Sequence, residues 1–126
     1  MKYRLMSVLC AALAALPAYA ADNDGNYAVW GQGKKACFHY NEARKDPDGI
    51  AMEGFRGYLM GYLSAYNAIT PKTYNITGKM DLDGVLAWLD EYCGSKGMLS
   101  FEQAMLEYTD QHFKERATFP PGRFRR

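Results

Sequence analysis

The segment that most limits the fold is GFRGYLMGYLSAYN, residues 54–67. At 100° per residue, Gly54, Gly57, Gly61 and Ala65 fall on one helical stripe about 80° wide. Each glycine inside a helix costs up to about 1 kcal/mol relative to alanine. Three glycines on one stripe therefore predict a seam where another backbone packs closely, within the chain or across a homodimer. We expect this helix to run from about residue 48 to 68 and to be central to the fold.

Three tyrosines, Tyr58, Tyr62 and Tyr66, lie just beside this stripe. Tyrosines at helical spacing serve either as a platform for a ligand or as core residues whose hydroxyl groups reach the rim. The core role is the commoner one, so we predict that these rings pack inside the protein. Together with Tyr74 in the following loop, they are also the candidate binding surface of the chain.

A stripe of small residues is also typical of helices that pair inside membranes. Here Glu53 and Arg56 interrupt the segment, and the uncharged run 57–71 has only 15 residues. A membrane-spanning helix needs about 20 consecutive apolar residues. We therefore predict that the chain has no transmembrane segment.

The first 20 residues have the three parts of a secretory signal peptide. Lys2 and Arg4 give a positive start, residues 6–16 are an apolar run, and Pro17 ends it. The small residues of Ala18-Tyr19-Ala20 match a signal-peptidase site. We predict cleavage after Ala20 and a periplasmic mature protein of 106 residues, which is long enough for one domain with a modest core.

Cleavage would remove Cys10 and leave Cys37 and Cys93. An even pair of cysteines in an exported protein predicts a disulfide. The bond would enclose 55 residues, and loop-closure entropy gives an upper figure of about 4 kcal/mol for its contribution. The alternative is a free catalytic thiol beside His39. Residues two apart on a helix point to different faces, so the disulfide is the better prediction.

The rest of the chain reads as three more helices, and no segment alternates with the period of two typical of strands. Asp81 is a suitable N-cap for one helix, and Ser100 with Gln103 forms a capping box that begins another. We predict an all-α bundle of about four helices. Its parts are an irregular arm over 21–33, a helical domain over 34–116 whose first helix spans 34–45 and whose last ends near 116, and a basic tail over 117–126.

The charge of the mature chain argues against a nucleic-acid partner. It has 13 basic and 14 acidic residues, so no basic surface of the kind that binds phosphates is expected. The tail is the exception, with Arg123, Arg125 and Arg126 and no acidic residue. It is either a solvated end or a contact for an anionic lipid or an acidic protein surface.

The chain offers few groups for catalysis or metal binding. It has two histidines, His39 and His112, and Cys37-x-His39 lacks the second matching pair that a zinc site needs. Asp81 is predicted to cap a helix, whereas Asp90 and Glu91 are predicted to lie on a solvated face. We therefore predict a non-enzymatic protein with no metal and no cofactor.

Three elements give the chain a resemblance to known exported proteins: Cys37, the segment GYLMGY at 57–62, and WLDEYC at 88–93. Over residues 34–114 it resembles the HdeA/HdeB acid-stress chaperones and the immunity proteins that neutralise type VI secretion amidase effectors. The basic tail and the ten-residue loop 70–79 depart from both groups. The shared motifs are structural, so they indicate fold and compartment more strongly than function.

Resemblance to the chaperones implies a dimer at neutral pH that loosens in acid and shields unfolding clients. Near pH 2 the mature chain would carry about +15, so it would repel itself. Resemblance to the immunity proteins implies an inhibitor that inserts a loop, here 70–79 with Tyr74, into an effector. We predict a protein-binding role of the HdeA type, with the immunity role, or a small-molecule carrier using Tyr58, Tyr62 and Tyr66, as alternatives.

Overall fold

The computed structural model describes residues 21–122, and within them it confirms the predicted all-α fold. The predicted signal peptide (1–20) and the tail residues Arg123, Arg125 and Arg126 lie outside this range. No helix in the described part is long and apolar enough to cross a membrane. The helices are a 3-10 helix Gly31–Lys34, α1 Cys37–Ala43, α2 Ile50–Ile69, α3 Leu82–Ser95, α4 Phe101–Gln111 and a second 3-10 helix Phe113–Glu115.

The predicted disulfide between Cys37 and Cys93 is present and fully buried. It joins the start of α1 to the end of α3, with the two Cα atoms 5.0 Å apart. Backbone hydrogen bonds from Cys37 N to the carbonyl of Leu99 (2.7 Å) and from Phe101 N to that of Lys35 (2.8 Å) bring the start of α4 to the same place. A buried disulfide is consistent with an oxidising compartment.

Three aromatic rings form the centre of the core, one each from α1, α2 and α4. Tyr40 stacks on Phe101 at 5.1 Å between ring centroids, and Phe55 meets Phe101 edge-on at 4.9 Å. Each large apolar side chain buried in this way contributes about 1.5–3 kcal/mol relative to an exposed one. The apolar core also includes Cys37, Ala43, Met52, Leu59, Leu63, Ile76, Val85, Leu86, Leu89, Cys93, Ala104, Met105 and Tyr108.

Both predicted helix caps are present. The Asp81 carboxylate accepts a hydrogen bond from Gly84 N (2.9 Å), and Ser100 and Gln103 form the reciprocal capping box. These bonds satisfy backbone donors that the first turn leaves without partners, so they fix where α3 and α4 begin.

Two helix boundaries were wrong in the prediction. The first α-helix begins at Cys37 rather than near residue 34, because Lys34 ends the preceding 3-10 helix and Ala36 is extended. The last α-helix ends at Gln111 rather than near residue 116. Beyond it the chain turns, and Ala117 pairs with Asn75 through backbone hydrogen bonds of 2.9 and 3.1 Å.

The loop after α2 is more ordered than the sequence indicates. The side-chain oxygen of Asn67, near the end of α2, accepts a hydrogen bond from Ile76 N at 2.8 Å. Ile76 is completely buried, and its neighbour Asn75 pairs with Ala117. The loop therefore packs as part of the domain, between the end of α2 and the C-terminal segment.

Three of the four small residues of the predicted seam do not pack against another part of residues 21–122. Gly57, Gly61 and Ala65 are exposed, because the buried positions of α2 (Met52, Phe55, Leu59 and Leu63) lie on the opposite side of the helix. A Cβ atom added at Gly57 or Gly61 would meet no atom within 4 Å. Gly54 alone has a close neighbour, the side chain of Gln32. The packing of this stripe across a dimer stays a prediction.

Candidate functional site

From Gly57 onward, the solvent-facing side of α2 forms an uncharged surface, which we call the outer face. It consists of Gly57, Gly61, Ser64, Ala65 and Ala68, all of them exposed. The exposed charged residue Glu53 lies one turn before this face. Large apolar side chains on the same helix are exposed as well, including Ile50 at 94% and Ile69 at 78%. A helix exposed to water normally carries charged residues on this side, so the outer face is suited to contact with another molecule.

The three tyrosines of α2 lie between the outer face and the core, and each is partly buried. Tyr58 meets Phe101 of α4 edge-on at 5.9 Å, and the Tyr58–Tyr62 and Tyr62–Tyr66 centroids are 6.3 and 6.4 Å apart. Burial raises the pKa of Tyr58 to about 12 and also raises that of Tyr62. These rings pack against the core, as expected for tyrosines at helical spacing.

Tyr74 is separate from the tyrosines of α2. Its backbone N–H bonds to the Ala117 carbonyl at 2.8 Å, and its side chain is 48% exposed. In the described part of the chain, no aromatic contact joins it to Tyr58, Tyr62 or Tyr66. The four predicted binding tyrosines therefore do not form one continuous aromatic surface.

Asp90 was predicted to lie on a solvated face, but it links α3 to α1. Its carboxylate accepts two hydrogen bonds of 2.7 Å from Arg44 and one of 2.7 Å from the Tyr40 hydroxyl. Burial by itself would raise the pKa of Asp90, but the hydrogen bonds from Arg44 and Tyr40 outweigh it and the pKa lies below 3.8. Burial, followed by the bond to Asp90, raises the pKa of Tyr40.

Glu102 in the first turn of α4 is a buried carboxylate that the sequence analysis did not identify. Its side chain is 7% exposed, and it accepts a 2.5 Å hydrogen bond from the hydroxyl of Tyr27 in the N-terminal arm. The sequence did contain a signal. Glu102 precedes Met105 and Thr109 by three and seven residues, so it shares a helical face with two buried positions.

The two histidines contact neighbouring aromatic rings. His39 is exposed beside Phe38, with ring centroids 3.9 Å apart. His112 stacks on Tyr108 at 4.3 Å, and its Nδ1 lies 2.9 Å from the Tyr108 carbonyl oxygen. Within residues 21–122, no group of three or more histidine, cysteine or acidic side chains is placed to hold a metal ion.

The open clefts on the surface of residues 21–122 include the following three. One of about 230 Å³ lies between α3 and α4 beside Trp88 and Tyr92, and one of about 350 Å³ lies between α1 and the start of α2. The third, of about 380 Å³, lies between α2, the loop after it and the start of α3, with Met60 and Leu63 in its wall. All three open to solvent, which favours surface contact over the enclosure of a small molecule.

Comparison of the chain with family models, curated proteins and solved structures found no match. Over residues 21–122 the structure defines a small all-α domain in which four α-helices pack around one core and the Cys37–Cys93 disulfide joins α1 to α3.

Proposed function

We propose that this chain is a non-enzymatic, protein-binding protein of the periplasm, and that it acts as an acid-stress chaperone of the HdeA type. The observation that supports this most is the way α2 is attached to the rest of the domain. This helix contributes four buried apolar side chains and three partly buried tyrosines. Its release would expose a large apolar surface.

Within residues 21–122, helix α2 is attached to the other helices mainly by side-chain packing, and few polar bonds join them. Its hydrogen-bonding side chains contact α2 itself or the loops at its ends: Arg56 donates to Pro47, Ser64 to Met60, and Asn67 accepts from Ile76. The Tyr62 hydroxyl approaches Thr109 of α4, whose own hydroxyl donates to carbonyls of α4. Apolar packing has no directional bond to break, so α2 is the helix best suited to separate.

In contrast to α2, helices α1 and α3 are joined to each other by two strong connections. The Cys37–Cys93 disulfide and the Arg44–Asp90 ion pair both lie between these two helices. When acid loosens the domain, the disulfide keeps α1 and α3 together, and α2 is left free to present its apolar side. Such an opened but covalently held chain can cover an unfolding client and later refold.

Charge provides the driving force for opening. Asp90 has a lowered pKa, so its contribution to stability is present above pH 3.8 and disappears as the pH falls through the lowered value. At the same time, protonation of the other carboxylates leaves the chain strongly positive, and the helices repel one another. Acid therefore weakens the α1–α3 ion pair and adds repulsion throughout the domain.

The test is to measure apolar dye binding, sedimentation and suppression of client aggregation by the mature protein from pH 7 to pH 2. We expect reversible dye binding and client protection below about pH 3, where the carboxylates are protonated. A matched variant carries an added second disulfide that fixes α2 to α4. It should lose client protection while the added bond is oxidised. Reduction of the added bond, with Cys37–Cys93 intact, should restore protection. Unchanged compactness down to pH 2, with no client protection, would contradict the proposal.

The second candidate is an immunity-type inhibitor, and the outer face of α2 favours it. A preformed, uncharged surface of small residues suits one folded partner that packs closely along Gly57, Gly61 and Ala65. Capture of a single effector at neutral pH, abolished by Gly61→Trp but retained by the exposed-site control Gly94→Trp, would support this role over the chaperone role.

A further inference from the structure

A buried acceptor without a donor, on Gln32, and a buried acidic residue, Glu102, lie where the first 3-10 helix, α2 and α4 meet. The residue Glu102 is 7% exposed, and its carboxylate accepts one hydrogen bond, from the Tyr27 hydroxyl. The side-chain oxygen of Gln32 is buried and has no hydrogen-bond partner within residues 21–122. A buried acceptor without a donor, as at Gln32, is costly, so native proteins rarely retain one without a purpose.

Among residues 21–122, no positively charged group pairs with Glu102. The ion pairs of the described residues are Arg44–Asp90 and Lys45–Glu42, so no lysine, arginine or histidine nitrogen there lies within 4.0 Å of the Glu102 carboxylate. The N-terminal end of α4 compensates part of the negative charge. A buried carboxylate whose one bonded donor is a neutral hydroxyl remains a strong acceptor for a cation.

Aromatic rings pack against the residues next to Gln32 and Glu102. The Tyr58 ring covers Gly33, which follows Gln32, and meets Phe101, which precedes Glu102. After the larger effect of burial, the negative charge of Glu102 adds to the raised pKa of Tyr58 and of Tyr62. The junction thus combines a carboxylate, an amide oxygen and tyrosine faces, which are the groups that bind organic cations in proteins.

We propose that this junction binds a cationic side chain, the guanidinium of arginine or the ammonium of lysine, presented by a protein partner. The cation donates to Glu102 and to the Gln32 oxygen while it lies against the tyrosine rings. The Tyr27 hydroxyl occupies Glu102 in the free chain, so binding exchanges a neutral donor for a charged one. The inference rests on the proposed protein-binding function and names the chemistry that the partner supplies.

The test uses the mature protein and two blocked tripeptides, acetyl-Gly-Arg-Gly-amide and the same peptide with citrulline, a neutral analogue of arginine. Titration at pH 7 is followed by NMR, with the side-chain amide of Gln32 as the reporter. We expect saturable shifts with the arginine peptide, and affinity for the citrulline peptide at least about tenfold weaker, because a charged donor is lost. Ethylguanidinium, titrated separately, shows whether a free small cation suffices or a peptide is required.

Three variants locate the site. Glu102→Gln keeps the shape of the side chain and should lower affinity for the arginine peptide at least about tenfold, whereas Asp110→Asn, at an exposed site on α4, should leave it unchanged. Tyr27→Phe removes the competing hydroxyl and should tighten binding, a result that does not depend on the folding of the Glu102 variant.

Any one of three results would overturn the cation site. They are equal affinity for the two peptides, equal loss of affinity in the Glu102 and Asp110 variants, and weaker binding by Tyr27→Phe. If the cation site fails in this way but the protein still protects clients in acid, the proposed function is retained. Binding of the arginine peptide without any client protection or captured partner would instead contradict the proposed function and retain the cation site.

Discussion

Replacing Gly57 and Gly61 of α2 by alanine should stabilise the protein if the outer face is free, and destabilise it if that face is tightly packed. In the structure, the Cβ atoms of Gly57→Ala and Gly61→Ala meet no other atom within 4 Å. Alanine therefore adds no clash, and it removes the conformational freedom that glycine has in the unfolded chain. The double variant should be more stable than the parent, which is the reverse of what a tightly packed seam requires.

The size of the effect follows from helix propensity. Each glycine-to-alanine change inside an exposed helix contributes up to about 1 kcal/mol, so the pair should add about 1–2 kcal/mol to the free energy of unfolding. In a domain of about 100 residues, 1 kcal/mol shifts the melting temperature by about 4–8 °C. Urea unfolding at pH 7, followed by circular dichroism at several protein concentrations, measures the change.

A matched control lies on the neighbouring 3-10 helix. The Cβ atom of Gly33→Ala would run into the ring of Tyr58, so that single change should destabilise the protein. A loss of stability in the Gly57/Gly61 double variant, growing with protein concentration, would refute the reasoning and show that a second copy covers the outer face. A loss of stability that does not depend on protein concentration would show instead that α2 is not oriented with these glycines toward solvent.

Two further predictions concern the links between α1 and α3. Asp90→Asn should lower the free energy of unfolding at pH 7 by about 1 kcal/mol, a figure reduced for partial exposure of the ion pair with Arg44. The difference in unfolding free energy between Asp90→Asn and the parent should shrink as the pH falls below 3.8. Urea titrations at several pH values measure it, and a difference that stays constant across pH would contradict this. Replacing both Cys37 and Cys93 by alanine should cost up to about 4 kcal/mol, because the unfolded chain is no longer cross-linked. Thermal melts under oxidising and reducing conditions check this, and equal melting temperatures for the parent in both would contradict it.

Local sequence signals were enough to predict the helices and most of their starts. Asp81 and the pair Ser100 and Gln103 cap α3 and α4 as expected, because a cap needs only residues within one turn. The cysteine pair predicted the disulfide for a similar reason: the chain offers no other cysteine partner after residue 20. Helix type and covalent connection therefore follow from residue identity and spacing.

The environment of particular side chains could not be predicted in this way. Asp90 was predicted to lie on a solvated face, but α1 places Arg44 and Tyr40 against it. Ile76 is buried although it lies in a segment predicted only to be a loop. Glu102 likewise gains its hydrogen-bond donor only because the arm brings Tyr27 to it. Each of these contacts joins residues far apart in the chain, beyond the reach of spacing rules.

Helix α2 shows most directly what the sequence determines and what the tertiary structure decides. Its sequence by itself determined a helix with small residues along one side and tyrosines beside them. The tertiary structure alone decided which side is buried, because the aromatic rings of Tyr40 and Phe101 pack against Phe55 and turn Gly57 and Gly61 toward solvent. Large apolar rings gain more from burial than glycines do, so the glycine stripe remains on the outside of the domain.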